Sequence, residues 1–496
     1  LEVTVKGPKE GNPFCDQWIK GTFECKNEKK TVDGFYDGDG VYKVRFMPSF
    51  VDTYTFKIES SFQTESAEEV SGSFEAVAPS ADNHGPVRVA GTYYLAYEDG
   101  KPYHCLGTTC YVWNLQNEKL QEQTLKTLEE NAFNKIRFCI FPKHYDYNLH
   151  EPITYPYEGT PCDTSELNEN NFAEYNGCAP GNDWDFTRFN PAHFQHIEKR
   201  IQALMNLGIE ADLIVMHPYD RWGFSMMKAE DDDRYWKYVL ARFSAYRNVW
   251  WSLANEYDLM HEKTLADWER YAAIICEKDP YHHLRSIHNC KAYYDYNLPW
   301  VTHCSIQRTE TYRSSELVNE WREKYHKPVV LDEICYEGNI QFGWGNISGE
   351  EMTRRFWEAF CRGGYPGHGE TYLSPDRILW WSHGGVLHGT SPERIKFLAK
   401  IMEETPGLGV EPMPCKWDEV ACRAAGFPAR KDYFIYYYTF MRPSFRDFYF
   451  DDTTEYQVEI IDTWEMTITD GGIHKGQFRV QLPGKEYIAV RIKAVK

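Results

Sequence analysis

The chain is 496 residues long, carries a formal net charge of −20 and is 16% aromatic, with 16 Trp, 35 Tyr and 28 Phe. Hydrophobic residues at 42% and charged residues at 26% exclude a disordered or collagen-like polymer, and the length predicts several domains rather than one. The acidic balance argues against nucleic acid or an anionic membrane as partner, because phosphate binding requires clustered Lys and Arg. Neutral ligands that stack on flat rings, sugars foremost, suit such a chain better.

No window approaches 18 uninterrupted apolar residues, so no transmembrane helix is expected. The opening LEVTVKGPKEG reads as a strand, with neither the basic nor the apolar region of a signal peptide. A cytoplasmic location is therefore the expectation, although the chain does not begin with Met. Fourteen Cys without a CxxC pair argue against zinc-ribbon and thioredoxin-like readings, and reduced thiols in a bacterial-type cytoplasm are expected.

Residues 1–86 read as a small β-sandwich. LEVTVKG, GTFECK, VYKVRFMP, TYTFKIESS and GSFEAVA are short alternating runs between turn residues. Asp37-Gly38-Asp39-Gly40 between two of them predicts a hairpin; the ligands that a calcium loop needs further along are missing.

Residues 87–410 alternate strand-like and helix-like segments. The expected strands are 103–108, 135–141, 210–216, 249–254, 284–288, 303–307, 328–333 and 377–382. Amphipathic runs such as LQEQTLKTLEEN, PAHFQHIEKRIQALMNLG, DRYWKYVLARFSAY and LADWERYAAIICEKD lie between them. Eight strands alternating with helices predict an α/β fold of the (β/α)8 TIM-barrel type. A doubly wound sheet is the alternative, but no GxGxxG follows the first strand, no P-loop is present, and no cofactor is expected. Residues 411–496 return to short strands, DYFIYYYTF, EYQVEIIDTW, MTITDG, GQFRVQLP and EYIAVRIKAV, and predict a second β-sandwich.

Chemistry in such barrels sits at the C-terminal strand ends. Strand four runs into Asn255-Glu256-Tyr257, and strand seven ends LDEICYEG, with Glu333, Tyr336 and Glu337. Two glutamates at the ends of apolar strands of one barrel are the pair that glycoside cleavage requires, an acid for the leaving oxygen and a carboxylate partner across the bond. Glu256 and Glu333 are the catalytic candidates. Arg137 on strand two is expected to pair with the nucleophile, since a guanidinium in an apolar strand needs a carboxylate.

His217 and Asp220 after strand three, His288 after strand five and Gln307 at the end of strand six are candidate contacts to sugar hydroxyls. No HxH or HExxH spacing appears, so no metal site is read. Trp113 after strand one, and Trp380, Trp381 and His383 on the expected strand eight, are further substrate candidates, with one of the two Trp pointing inward by alternation. The long stretch 142–190 carries His144 and several Tyr that are placed to wall a cleft, and HGETY adds His368 and Glu370, the latter a competitor for one catalytic role.

DGKPYHCLGTTCYVW, HPYD, WWSLANEYD, RSIHN, LDEICYEG and LWWSHGGVLHG together resemble the apiosidase-like glycoside hydrolase barrels of clan A. GFYDGDGVYKVRFMP is similar to the N-terminal β-sandwich that precedes such barrels, and IDTWEMTI to their short C-terminal β domain. The resemblance implies a retaining glycosidase in which Glu333 attacks the anomeric carbon, Glu256 is the acid/base, and Asn255 contacts the sugar 2-hydroxyl. The clan often places a Tyr on strand six where this chain has Gln307. The expected substrate is a terminal or short-oligosaccharide bond of a neutral plant-type glycan or glycoside. The alternatives are a carbohydrate-binding protein of the same fold without catalysis, a short-chain endo-glycanase, or a metal-dependent hydrolase whose ligand spacings are absent.

Overall fold

The computed structural model describes residues 1–64, 70–308, 310 and 312–495. Eight parallel strands form the central sheet: β1 Gly107–Thr109, β2 Lys135–Cys139, β3 Glu210–Met216, β4 Val249–Ala254, β5 Arg285–Ser286, β6 Cys304–Gln307, β7 Val329–Glu333 and β8 Tyr365–His368. They are hydrogen-bonded in the order β5-β4-β3-β2-β1-β8-β7-β6, and a bridge from His288, just past β5, to Ser305 on β6 joins the two ends. This is the (β/α)8 barrel. Every residue of β3 and β4 is buried, as strands covered on both faces must be, which is why they read as mainly apolar runs interrupted only by Glu210, Asp212 and Ser252.

Seven long helices accompany the strands: α1 Glu118–Glu130, α2 Pro191–Asn206, α3 Ala229–Phe243, α4 Leu265–Lys278, α5 Val318–Tyr325, α6 Gly349–Cys361 and α7 Ser391–Glu403. Local chemistry sets their ends. Thr264 and Asp267 close a capping box at the start of α4, and Asn190 followed by Pro191 opens α2.

The eighth strand departs from expectation. The first half of the run RILWWS lies in a loop and its second half in the short helix Trp380–His383, while the barrel closes on the unpromising YPGH. The cause is steric. A Cβ on Gly367 would meet the Leu331 and Asp332 carbonyl oxygens at 2.7 and 2.8 Å, so β8 can approach β7 only through a glycine.

The described chain divides into two compact units: residues 1–87, 114–117 and 138–287, and residues 88–113, 118–137 and 288–496. In the first unit, N-terminal strands form a three-stranded and a four-stranded antiparallel sheet around Val5, Phe23, Val44, Phe46 and Tyr54. The 37–40 turn is the expected hairpin, joining Phe35–Tyr36 to Val41–Arg45. It also supplies Asp37, which is buried and lies 2.7 Å from Arg242 of α3; Arg242 and Arg45 both pair with Glu198 of α2. These β strands thus pack on the barrel helices through a buried ion cluster.

In the second unit, the C-terminal strands build a six-stranded antiparallel sheet and a two-stranded ribbon around Tyr438, Val458, Val490 and Ile492. The sheet docks on α6, where Trp357 lies 5.8 Å from Tyr437. Among the described residues no disulfide forms, and no helix is long and apolar enough to cross a membrane.

Candidate active site

In the second unit, Glu333 ends β7 and is buried. Three donors from three other segments converge on its Oε1: Arg137 Nη1 at 3.3 Å, His288 Nε2 at 3.2 Å, and the Tyr111 hydroxyl. Burial by itself raises a carboxyl pKa, but the hydrogen bond and charge of His288, the charge of Arg137 and the Tyr111 hydroxyl overrule it and hold Glu333 down to about 2. It is an ionised carboxylate at a buried strand end.

Its neighbour Asp332 serves a different end. It takes Lys135 Nζ at 2.7 Å and the Ser305 hydroxyl, and the charges of Lys135, Arg137 and His288 keep its pKa well below the ordinary range despite full burial. Because Ser305 gives its proton to Asp332, its oxygen is left to accept from His288 Nδ1 at 3.1 Å. His288 then donates from its other nitrogen towards Glu333 and Gln307 Oε1, the latter at 2.9 Å. Gln307 thereby helps to orient the imidazole.

Tyr336 is buried with its ring 6.4 Å from Trp381, and burial pushes its hydroxyl pKa up. Trp381 meets Tyr111 edge-on at 5.7 Å, whereas the Trp380 indole turns away and donates to Thr108 Oγ1 at 2.8 Å. The two Trp stand on one short helix, so helix geometry rather than strand alternation separates them. His383 ends the same short helix, buried. Trp113 is buried in a single turn, Trp113–Leu115, after β1.

In the first unit, Glu256 follows β4 and is buried, in a left-handed backbone conformation with φ 52°. A non-glycine residue in that region costs on the order of 1 kcal/mol and is kept where its surroundings impose it. Its Oε2 accepts the Tyr219 hydroxyl and, at 3.4 Å, Asn255 Nδ2. Lys143 Nζ sits 4.4 Å above the Tyr219 ring, and Tyr145 meets that ring edge-on at 5.3 Å. Tyr257 begins the next turn, 6.4 Å from Trp268.

Other sequence candidates of this unit make contacts within it. His217 contacts the Phe141 carbonyl at 3.3 Å, and burial lowers its pKa to about 3. Asp220 accepts from the Trp222 and Ser225 amides, both at 2.8 Å, and holds that turn closed while burial raises its pKa to about 6. His144 is fixed between the Phe172 carbonyl and Arg221. Much of the aromatic stretch packs on itself, with Tyr157 stacked 5.2 Å from Phe189.

Glu337, His368 and Glu370 lie together in the second unit, fully buried, and none is seen to touch Glu333. Tyr111, Lys135, Ser305 and Asp332 were not singled out from the sequence. Lys135 was the legible one, since it shares the inward alternation of Arg137 on one strand.

A barrel whose strand ends carry a clamped, ionised glutamate and a second glutamate under a tyrosine hydroxyl is that of a glycoside hydrolase. The model of the apiosidase-like catalytic domain matches residues 90–406, and the chain belongs to that family. Two domain families of unknown function match residues 1–61 and 417–493. A solved candidate glycoside hydrolase from Bacteroides vulgatus is 38% identical, with 100% of this chain and 98% of that chain covered and a TM-score of 0.90. A glycoside hydrolase family 5 structure from the same organism shares the fold at 16% identity, with 83% and 93% covered and a TM-score of 0.62. No curated protein matches.

Proposed function

We propose that the protein is a retaining glycosidase acting by double displacement, with Glu333 as nucleophile and Glu256 as acid/base. The observation that carries the reading is the triple donation to Glu333 Oε1. It keeps the carboxylate ionised at neutral pH, the form that attacks the anomeric carbon. As the new bond forms, negative charge leaves Glu333, and the same donors then stabilise it as a leaving group in the second step.

Glu256 protonates the departing glycosidic oxygen and afterwards takes a proton from water. Tyr219 orients it, and the left-handed backbone at Glu256 fixes where its side chain projects. Retention requires the two carboxyl groups to lie about 5–5.5 Å apart across the bond. Asn255 contacts the 2-hydroxyl, and Trp381 with Tyr336 supplies the ring surface beside the nucleophile.

The substrate class we propose is a terminal or short-oligosaccharide bond of a neutral plant-type glycan or glycoside, which the family's apiosidase-like name also suggests. A panel of 4-nitrophenyl glycosides, furanosides included, tests this together with NMR of the first-formed sugar. Product with the substrate's own anomeric configuration is expected; the inverted anomer as first product contradicts it.

A further inference from the structure

We propose that Glu337, His368 and Glu370 form a buried binding site for a divalent transition-metal cation, zinc first among them. The site is separate from the catalytic residues assigned above and independent of that assignment. Topology assembles it: Glu337 and Glu370 pair in register on two short parallel strands, and His368 is the last residue of β8. One ligating atom from each lies within 4.8 Å of the others, and all three side chains are about 1% exposed or less.

The charge of this cluster is not balanced by side chains. Glu337 accepts from the Thr390 amide at 2.7 Å, the Ser391 amide at 3.1 Å, and the Thr390 and Tyr372 hydroxyls, each at 3.2 Å. Glu370 accepts from the His388 and Gly389 amides at 2.6 and 2.8 Å. Among the described residues no Lys or Arg pairs with either one. Two carboxylates brought together out of water with only neutral donors are unfavourable unless a cation joins them.

The histidine supplies an independent observation. Its Nδ1 is tied to Thr108 Oγ1 at 3.1 Å, and its ring stacks on Phe133 at 4.7 Å. Nε2 is fully buried and has no hydrogen-bond partner among the described residues, and a ring nitrogen of His368 lies within 4.8 Å of a carboxylate oxygen of each glutamate. An imidazole whose second nitrogen is anchored by a hydroxyl and whose first is bare is arranged as a metal ligand. A nitrogen donor beside two carboxylates favours zinc or its transition-metal neighbours over calcium or magnesium, which take oxygen.

Gly389 keeps the space open. A Cβ there would meet Glu337 Oε2 at 2.5 Å and Glu370 Oε2 at 2.6 Å. The cation would act by position: it ties β8 to the segment that carries Tyr336, whose ring lies against Gly369, where a Cβ would come within 2.0 Å of it.

The test uses untagged full-length protein, stripped with chelator and then re-equilibrated with zinc sulfate and dialysed. Elemental analysis is expected to find stoichiometric zinc, and the loaded protein is expected to melt higher than the stripped one. His368→Ala is expected to weaken zinc binding by more than about tenfold. Cobalt(II) on the wild-type protein gives a check that needs no variant, through d–d bands that show nitrogen and oxygen ligands. Absence of stoichiometric metal, or of any melting shift, overturns the site and leaves a proton shared by the carboxylates in its place. Stoichiometric zinc retained by a folded His368→Ala protein overturns it equally.

Discussion

Arg137 Nη1 lies 3.3 Å from Glu333 Oε1, with both side chains buried. The guanidinium stands on β2 and also reaches Asp332 at 3.9 Å, so one cation faces two adjacent carboxylates at the end of β7. The relationship makes Arg137 a determinant of the protonation state of Glu333. Replacing it by Gln removes a charge that lowers the Glu333 pKa, and that pKa rises. Activity falls as pH drops through it, so the acid limb of kcat/KM is expected to move to higher pH in Arg137→Gln. We expect a loss of about 10²–10³-fold in kcat near neutrality. An unmoved acid limb in a folded variant contradicts the assigned role.

Tyr219 donates to Glu256, and its removal bears on the proton rather than on the nucleophile. Tyr219→Phe is expected to slow glycosides with poor leaving groups by about tenfold, the size of one hydrogen bond to a charged group. Substrates with activated leaving groups, which need little protonation, are expected to lose far less in the first step. Equal losses across a leaving-group series contradict the account.

Glu210 opens β3, away from the catalytic strand ends, where it accepts from Trp250 Nε1 at 2.9 Å. Burial pushes its pKa up to about 8. A carboxyl whose folded pKa is raised favours the folded state below the unfolded value, and this advantage is lost as pH rises from about 4.5 to 8. Glu210→Gln keeps an acceptor for the indole without the charge. It is expected to raise Tm at pH 8.5 and to leave it nearly unchanged at pH 4.5, measured by calorimetry.

Arg242 is fully buried between Asp37 of the N-terminal hairpin and Glu198 of α2. Removing one member of such a cluster leaves uncompensated buried charge. Arg242→Met is expected to cost about 3–5 kcal/mol in denaturant unfolding. A variant as stable as wild type contradicts the view that this cluster fastens the β strands to the barrel helices.

Much of this was legible in the sequence where local pattern and tertiary role agree. β3 and β4 are mainly apolar because they are buried on both faces, and Glu256 and Glu333 follow from their strand ends. Legibility failed where close packing replaced hydrophobic pattern. β8 is YPGH because its backbone must approach β7, so Trp380 and Trp381 belong to a helix instead. The contacts of Asp220 were equally unreadable, since its partners include backbone amides that no residue pattern reveals. Glu337, His368 and Glu370 are near in sequence to the catalytic segment, yet they face one another rather than Glu333.

The measurement that bears most directly on the central claim is azide rescue of the two alanine variants, with a 4-nitrophenyl glycoside that the wild-type enzyme hydrolyses. Glu333→Ala with azide is expected to yield a glycosyl azide of inverted configuration, and Glu256→Ala one of retained configuration. The opposite pairing, or a Glu333→Ala enzyme that turns over its substrate as well as wild type without azide, contradicts the assignment.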